Sequence, residues 1–194
     1  MVESNRKLEQ FVEALVNFQP FNKQEETDVD ALLKYVQLFP NIFSRDNKLI
    51  HITSSPWIVN KEKTKVLMIY HNIYKSWSWC GGHNDDEMDC KLVALQEGRE
   101  ETGIKDLELV YPDIFAVDIL PVIPHTKNGK FVSAHLHANI TYLFEADDTQ
   151  TLTCKLDENS DVVWIPIQEI SNYVTEKEML VVYKKLMNKL MLRL

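Results

Sequence analysis

Glycine is scarce in this chain, five residues in 194, and four of the five (Gly81, Gly82, Gly98 and Gly103) fall between positions 81 and 103. Backbone conformations that glycine alone adopts readily are therefore concentrated in one stretch. Cysteine is scarcer still. Cys80, Cys90 and Cys154 are odd in number and show no paired spacing, which excludes a disulfide framework or a cysteine zinc site and suits a reducing cytoplasm. Cationic residues fall short of acidic ones, 21 against 29, for a formal net charge of -8. A dedicated binder of polymeric nucleic acid would show a basic face, so no such partner is expected. A small phosphorylated ligand stays compatible with this charge, because a metal ion can supply what the protein lacks. Nowhere do about 18 apolar residues run together, and the opening "MVESNRKLEQ" has no apolar core of a leader, so neither membrane spanning nor export is expected. Internal repeats and low-complexity segments are absent as well.

What is present is 45% hydrophobic content, enough for one good core with a small appendage. In "ESNRKLEQFVEALVNF", Leu8, Phe11, Val12, Leu15 and Val16 recur at helical spacing, and "TDVDALLKYVQLF" repeats the pattern, with Thr27 as the expected N-cap. These two helices, bracketed by Pro20 and Pro40, make residues 1–48 an N-terminal helical extension; residues 49–194 form the main domain. "LIHITSSPWIVN" and the almost wholly apolar "KVLMIYHN" read as strands, the second central. "LELVYPDIFAVDILPVI" and "SAHLHANITYLFEA" read as further strands with "TKNGK" as a turn between them. "DVVWIPIQEI" is a last strand running into a short helix, and "TEKEMLVVYKKLMNKLMLRL" is a long C-terminal helix. The expected class is α/β (α+β), a mixed sheet with one helix inserted between strands and another at the end.

The glycine-rich stretch reads "WCGGHNDDEMDCKLVALQEGREETGI" over residues 79–104. Asp85, Asp86 and Asp89 offer oxygens to the free N–H groups of a helix start, and Gly103 followed by Ile104 is the expected helix stop. Between them Met88, Leu92 and Leu95 line one side, while Glu97, Glu100 and Glu101 fall within about 100° of one another on another. Three like charges on one helix face repel, which is tolerable on a fully solvated face or where a cation neutralises them. Carboxylates at this spacing suit a hard ion such as Mg²⁺.

The registered combination resembles the Nudix box of the Nudix hydrolase family: a glycine, five residues, a glutamate, seven residues, then Arg-Glu-apolar-any-Glu-Glu-any-Gly-apolar. Gly82 takes the first position, Glu97, Glu100 and Glu101 the three late glutamates, and Gly103 with Ile104 the close. Met88 stands in place of the first glutamate, Gln96 in place of the arginine and Gly98 in place of an apolar residue. The resemblance implies a Nudix-like α/β/α sandwich over about residues 49–194, and a Mg²⁺- or Mn²⁺-dependent hydrolysis of a diphosphate linkage in a nucleoside diphosphate derivative or a similar small metabolite. It implies Glu97, Glu100 and Glu101 as metal ligands, with Glu97 and Glu100 also catalytic, and Glu158 in "LDENSDVVWIP" either as a base or as a solvated turn residue. Two other readings stay open: a Nudix-fold protein that binds a nucleotide without hydrolysing it, suggested by Met88 and Gln96, and an isopentenyl diphosphate isomerase-like enzyme, suggested by "WCGGH" although Cys80 stands one residue out of step.

Gly81, Gly82, His83 and Trp79 are the expected substrate contacts of the box loop, with Trp77 and Trp79 divided between base stacking and core packing. In "HLHANIT", His135, His137, Asn139 and Thr141 share parity on one strand, as do His51, Thr53 and Ser55 in "HITSS". These polar rows line either a substrate cleft, with His135 and His137 as contacts, or the solvent face of the sheet; a histidine zinc site is not the expectation. The two N-terminal helices suit either a lid or a homodimer surface.

Overall fold

The computed structural model describes residues 2–127 and 129–192. The chain divides into two compact units: residues 1–54, 82–93 and 113–141 form the first, and residues 55–81, 94–112 and 142–194 the second. The class is mixed α/β, as the periodicities indicated. The main sheet has the order β10-β2-β1-β9-β5, where β1 is Ile50–Asn60, β2 Lys65–His71, β5 Glu108–Leu109, β9 His135–Ala146 and β10 Asn159–Pro166. Short β3 (Ser76–Ser78) joins β2, β4 (Gly82–His83) joins β1, and β6 (Ala116–Val122) joins β9.

In the first unit, helix α1 (Val2–Asn17) buries Phe11 and Leu15 of the apolar residues that its spacing marked out but leaves Val16 exposed, and α2 (Lys23–Leu38) buries Val29, Leu32 and Val36. Thr27 is not the cap. Helix α2 starts five residues earlier, where Asn22 Oδ1 accepts the Glu25 N–H at 3.0 Å, and Thr27 Oγ1 instead donates to Lys23 O at 2.9 Å within the helix. An apolar period places a helix well but its first turn poorly, since the polar turn before the first apolar residue offers more than one cap. Helix α2 rests on β6, where Asp28 accepts the Ile119 N–H at 2.9 Å. Strand β6 pairs antiparallel with β9 from Ala116↔Thr141 to Val122↔His135. Leu136 N–H donates to Leu49 O, and Thr53 Oγ1 donates to Asn139 Oδ1 at 2.9 Å. Partners thus advance together along β9 and β1, so these two strands run parallel and the sheet is mixed. "LELVYPDIFAVDILPVI" is two strands, β5 and β6, interrupted over residues 110–115. The turn expected at "TKNGK" is flanked by β7 (His125–Lys127) and β8 (Lys130–Val132), with Gly129 at φ +74°; Asn128 itself lies outside the described residues.

In the second unit β2 lies between β10 and β1, central as expected from its apolar run. The core holds Trp57, Trp79 and Tyr183: the Trp57 and Tyr183 rings stack at 5.7 Å between centroids, and Trp79 meets Tyr183 edge-on at 5.5 Å. Tyr183 is supplied by the C-terminal helix α5 (Lys177–Met191), which follows a short turn and α4 (Ile170–Tyr173). Helix α3 (Cys90–Thr102) spans the boundary between the two sets of residues in sequence; its later turns belong to this unit. There Gly98 packs so closely that a Cβ would lie 2.9 Å from Leu107 Cδ2, 3.1 Å from Pro56 Cγ and 3.3 Å from Ile58 Cδ1. Glycine replaces an apolar residue at this point because strand side chains already occupy the space.

Candidate active site

Helix α3 is shorter at its start than the run of aspartates suggested. Asp89 is the residue that accepts the Leu92 N–H, at 3.0 Å. Asp85 and Asp86 lie in a preceding turn with φ of 47° and 72°, where Asp85 is bound by Arg45 and held below the usual carboxylate range chiefly by that hydrogen bond. Met88 therefore precedes the helix and does not continue the Leu92 and Leu95 side. The loop is shaped by Asn84, whose Oδ1 accepts from Ser54 at 2.7 Å and whose Nδ2 donates to Glu87 O at 2.7 Å. Asn and Asp side chains favour such local bonds over helix, which is why three acidic residues in a row became a turn.

At its other end α3 stops as expected. Gly103 takes φ +74°, its N–H donates to Arg99 O at 2.9 Å, and Ile104 is buried. A second reason for glycine was not legible: a Cβ at 103 would stand 2.0 Å from Thr153 Oγ1. Thr153 N–H donates to Thr102 O at 2.8 Å, and Asn159 Nδ2 donates to Glu101 O at 3.1 Å while its Oδ1 accepts from Lys155 N at 3.2 Å. The 153–159 segment is thereby tied to the end of α3.

That tie brings Glu158 to the helix. The carboxylates of Glu97, Glu101 and Glu158 each place an oxygen within 4.8 Å of the other two. Glu101 is only 2% exposed, and its Oε2 accepts the Gly81 N–H at 2.8 Å. Burial pushes its carboxyl up to about 8; the Gly81 bond opposes this, and the charges of Glu97 and Glu158 add to it. Glu100, one residue earlier, faces elsewhere: its carboxylate lies 3.3 Å from Lys155 Nζ and is largely exposed. Lys155 Nζ also lies 3.2 Å from Glu158. Burial alone would lower the Lys155 ammonium, but Glu158, Glu97 and Glu100 raise it above its ordinary value. An all-oxygen donor set, one member of it raised by burial and by its two carboxylate neighbours, fits a hard divalent cation.

The polar rows of β1 and β9 are not a solvent face. His51, Thr53, Ser55, Asn139 and Thr141 are all buried. Four imidazoles gather on this face: the His51 ring centroid lies 5.0 Å from that of His83, 4.9 Å from that of His135 and 4.9 Å from that of His137. Burial first, and the other imidazoles after it, hold His137 well below the ordinary histidine value and lower His51 as well, although the Asn47 carbonyl opposes the shift at His51.

A family model described as the NUDIX domain matches residues 50–188. The chain belongs to that family. Solved Nudix structures share the fold: an Ap4A hydrolase from C. elegans, with a TM-score of 0.51 at 16% identity over 69% of this chain and 93% of that one; a dihydroneopterin triphosphate pyrophosphohydrolase from E. coli, 0.51 at 11% over 69% and 92%; and a NUDIX-family hydrolase from Clostridium perfringens, 0.50 at 19% over 72% and 97%. A comparison with curated proteins finds no match. Family membership supports an enzyme, a hydrolase acting on pyrophosphate bonds.

Against the Nudix box, the structure brings together two of its three late glutamates, Glu97 and Glu101, with Glu158 from outside it. Gly81 serves through its backbone N–H, and Gly82 with His83 forms β4, paired with Ser54 and Thr53 of β1. Trp79 is packed in the core against Trp57 and Tyr183, while Trp77 is partly exposed beside Tyr70 and Tyr173. His135 and His137 stand with His51 and His83 on one face. Lys155, Thr153 and Asn159 escaped the sequence reading. The signal available was a single lysine three residues before Glu158, too common to stand out. Among the described residues no helix is long and apolar enough to cross a membrane.

Proposed function

We propose that this Nudix chain is a Mg²⁺- or Mn²⁺-dependent diphosphohydrolase that cleaves the diphosphate linkage of a nucleoside diphosphate derivative or a similar small metabolite. The observation that carries this reading is the buried Glu101 carboxylate beside Glu97 and Glu158. Glu97 and Glu101, with Glu100 after release from Lys155, would hold the ions; bound there, they supply charge that shields the diphosphate and acidifies the attacking water. Gly81 N–H fixes the rotamer of Glu101. Lys155 holds the Glu158 carboxylate in place by an ion pair, and Glu158 is the base. A water oxygen bonds to phosphorus, the bridging P–O bond breaks with its electron pair on the leaving phosphate, and the water's proton passes to Glu158. Gly82, His83, His135 and His137 contact the substrate, and Trp79 shapes the loop from within the core. Residues 49–194 act as the catalytic domain and residues 1–48 as its helical extension, in a cytoplasmic protein.

The test is incubation of the purified protein with a broad panel of nucleoside diphosphate derivatives and Mg²⁺ or Mn²⁺, with products read by mass spectrometry. Turnover of at least one member is expected; none across the panel overturns the reading. Binding of an intact ligand by calorimetry without product would instead favour a nucleotide-binding role, to which Met88 and the Lys155 counter-charge incline. An isomerase-type reactive thiol is opposed by Cys80, which is buried and pushed well up by burial and by the charges of Glu101 and Glu97.

A further inference from the structure

The substrate contacts proposed for His83, His135 and His137 do not by themselves explain why four imidazoles gather, with His51 at their centre. Of the six histidines in the chain, His51, His83, His135 and His137 converge from three strands of one unit. Register explains the convergence. His83 of β4 pairs with Thr53 of β1, two residues from His51 on the same face of that strand. The parallel neighbour β9 sets Asn139 against Thr53, which brings His137 alongside His51. The side chains of three strands thus meet where period-two alternation sends them.

Each ring's orientation bears on what the group can bind. His51 Nδ1 lies 2.9 Å from the Asn47 carbonyl, which only a protonated Nδ1 satisfies. Its proton is therefore on Nδ1, and Nε2 presents a lone pair. That Nε2 is fully buried and has no hydrogen-bond partner among the described residues. His135 is held the same way, Nδ1 to the Ser133 carbonyl at 2.9 Å, and its Nε2 lies 3.2 Å from His137 Nε2. An imidazole anchored through one nitrogen to a backbone carbonyl, with the other nitrogen aimed inward, is the arrangement that a metal-ligating histidine adopts. Ligand nitrogens of His51, His83 and His137 all lie within 4.8 Å of one another. Around a tetrahedral ion with bonds of about 2.0–2.1 Å, ligand atoms stand roughly 3.4 Å apart. Small side-chain rotations therefore suffice to close the set.

The chemistry selects the ion. His51 is buried and His83 and His137 are half-buried, and together they offer nitrogen lone pairs with no carboxylate among them. They are poor ligands for Mg²⁺, which takes oxygen, and good ones for late first-row divalent ions. We propose that His51, His83 and His137 form a binding site for a divalent ion of the Zn²⁺ class, made of residues separate from the glutamate cluster, with the fourth position left to water.

Co²⁺ and Zn²⁺ added to the metal-free full-length protein in the presence of excess Mg²⁺ test this directly. One equivalent of Co²⁺ per chain should give the intense visible absorption of a four-coordinate nitrogen site, displaced by Zn²⁺. His51→Gln and His137→Gln should each weaken Zn²⁺ binding by more than about 100-fold, beyond the loss that an outer-shell partner alone produces. His71→Gln, outside the group, should leave it unchanged. A weak, octahedral Co²⁺ spectrum on the wild type overturns the proposal, as does unchanged Zn²⁺ affinity in folded His137→Gln. If a variant fails to fold, X-ray absorption of the Zn²⁺-loaded wild type decides: a nitrogen-dominated shell supports the site, and an oxygen-only shell overturns it.

Discussion

Replacing Glu101 by glutamine should make the metal-free protein more stable and the enzyme nearly inactive. The carboxyl is buried and pushed up to about 8, while in the unfolded chain it titrates near the ordinary 4.5. The folded metal-free protein therefore keeps a proton that the unfolded chain releases as pH rises. Its contribution to stability is fully present below about pH 4.5 and falls away as pH approaches 8, by about 5 kcal/mol in all at 1.4 kcal/mol per unit. At pH 7 two and a half of those units have been traversed, so the wild type stands about 3 kcal/mol below a neutral isostere. Glu101→Gln keeps an oxygen to accept the Gly81 N–H and removes the charge. At 2–4 °C per kcal/mol for a chain of this size, it should melt roughly 6–12 °C higher than wild type at pH 7 in chelator, and the gap should narrow toward pH 5. Mg²⁺ or Mn²⁺ should raise the melting temperature of wild type and not of the variant. Turnover should fall about 10²- to 10⁴-fold, the loss expected from removing one ligand. Melting curves at pH 5, 7 and 9, with chelator and with Mn²⁺, together with product release, make the comparison. Equal melting of the two proteins at every pH, with equal stabilisation by Mn²⁺, would show that the three glutamates are no more than a wet helix face.

Lys155→Met removes the ammonium that neutralises Glu158 and Glu100; it should lower metal-free stability by about 1–3 kcal/mol and tighten Mn²⁺ binding, as calorimetry would register, and weaker Mn²⁺ binding would contradict the counter-charge role. Gly98→Ala sets about 1 kcal/mol of gained helix propensity against a Cβ only 2.9 Å from Leu107; overpacking of about 1–3 kcal/mol should win, and a higher urea midpoint would refute it. Thiol labelling at neutral pH should modify Cys154 in the native protein and spare Cys80 and Cys90, which are buried with raised thiols, Cys90 to about 12; rapid native labelling of Cys80 would revive an isomerase-type thiol.

How much of this was legible in the sequence differs from residue to residue. Local chemistry by itself determined the end of α3, because a left-handed turn after an apolar helical run calls for glycine at 103 whatever surrounds it. Parity likewise determined that His135, His137, Asn139 and Thr141 share a face, since alternation is a property of any strand. The spacing of Glu97, Glu100 and Glu101 determined one acidic stripe on the helix, and the box around it determined the family. Only the tertiary structure decided which carboxylate of that stripe is buried. Glu100 and Glu101 are chemically identical and adjacent; what separates them is the Gly81 amide that meets one and the Lys155 ammonium that meets the other, across twenty and fifty-five residues of sequence. The same holds for the histidines. Positions 51, 83 and 137 carry no mutual spacing signal, and they meet because β4 and β9 flank β1 in one register, a long-range choice made by the packing of the whole sheet.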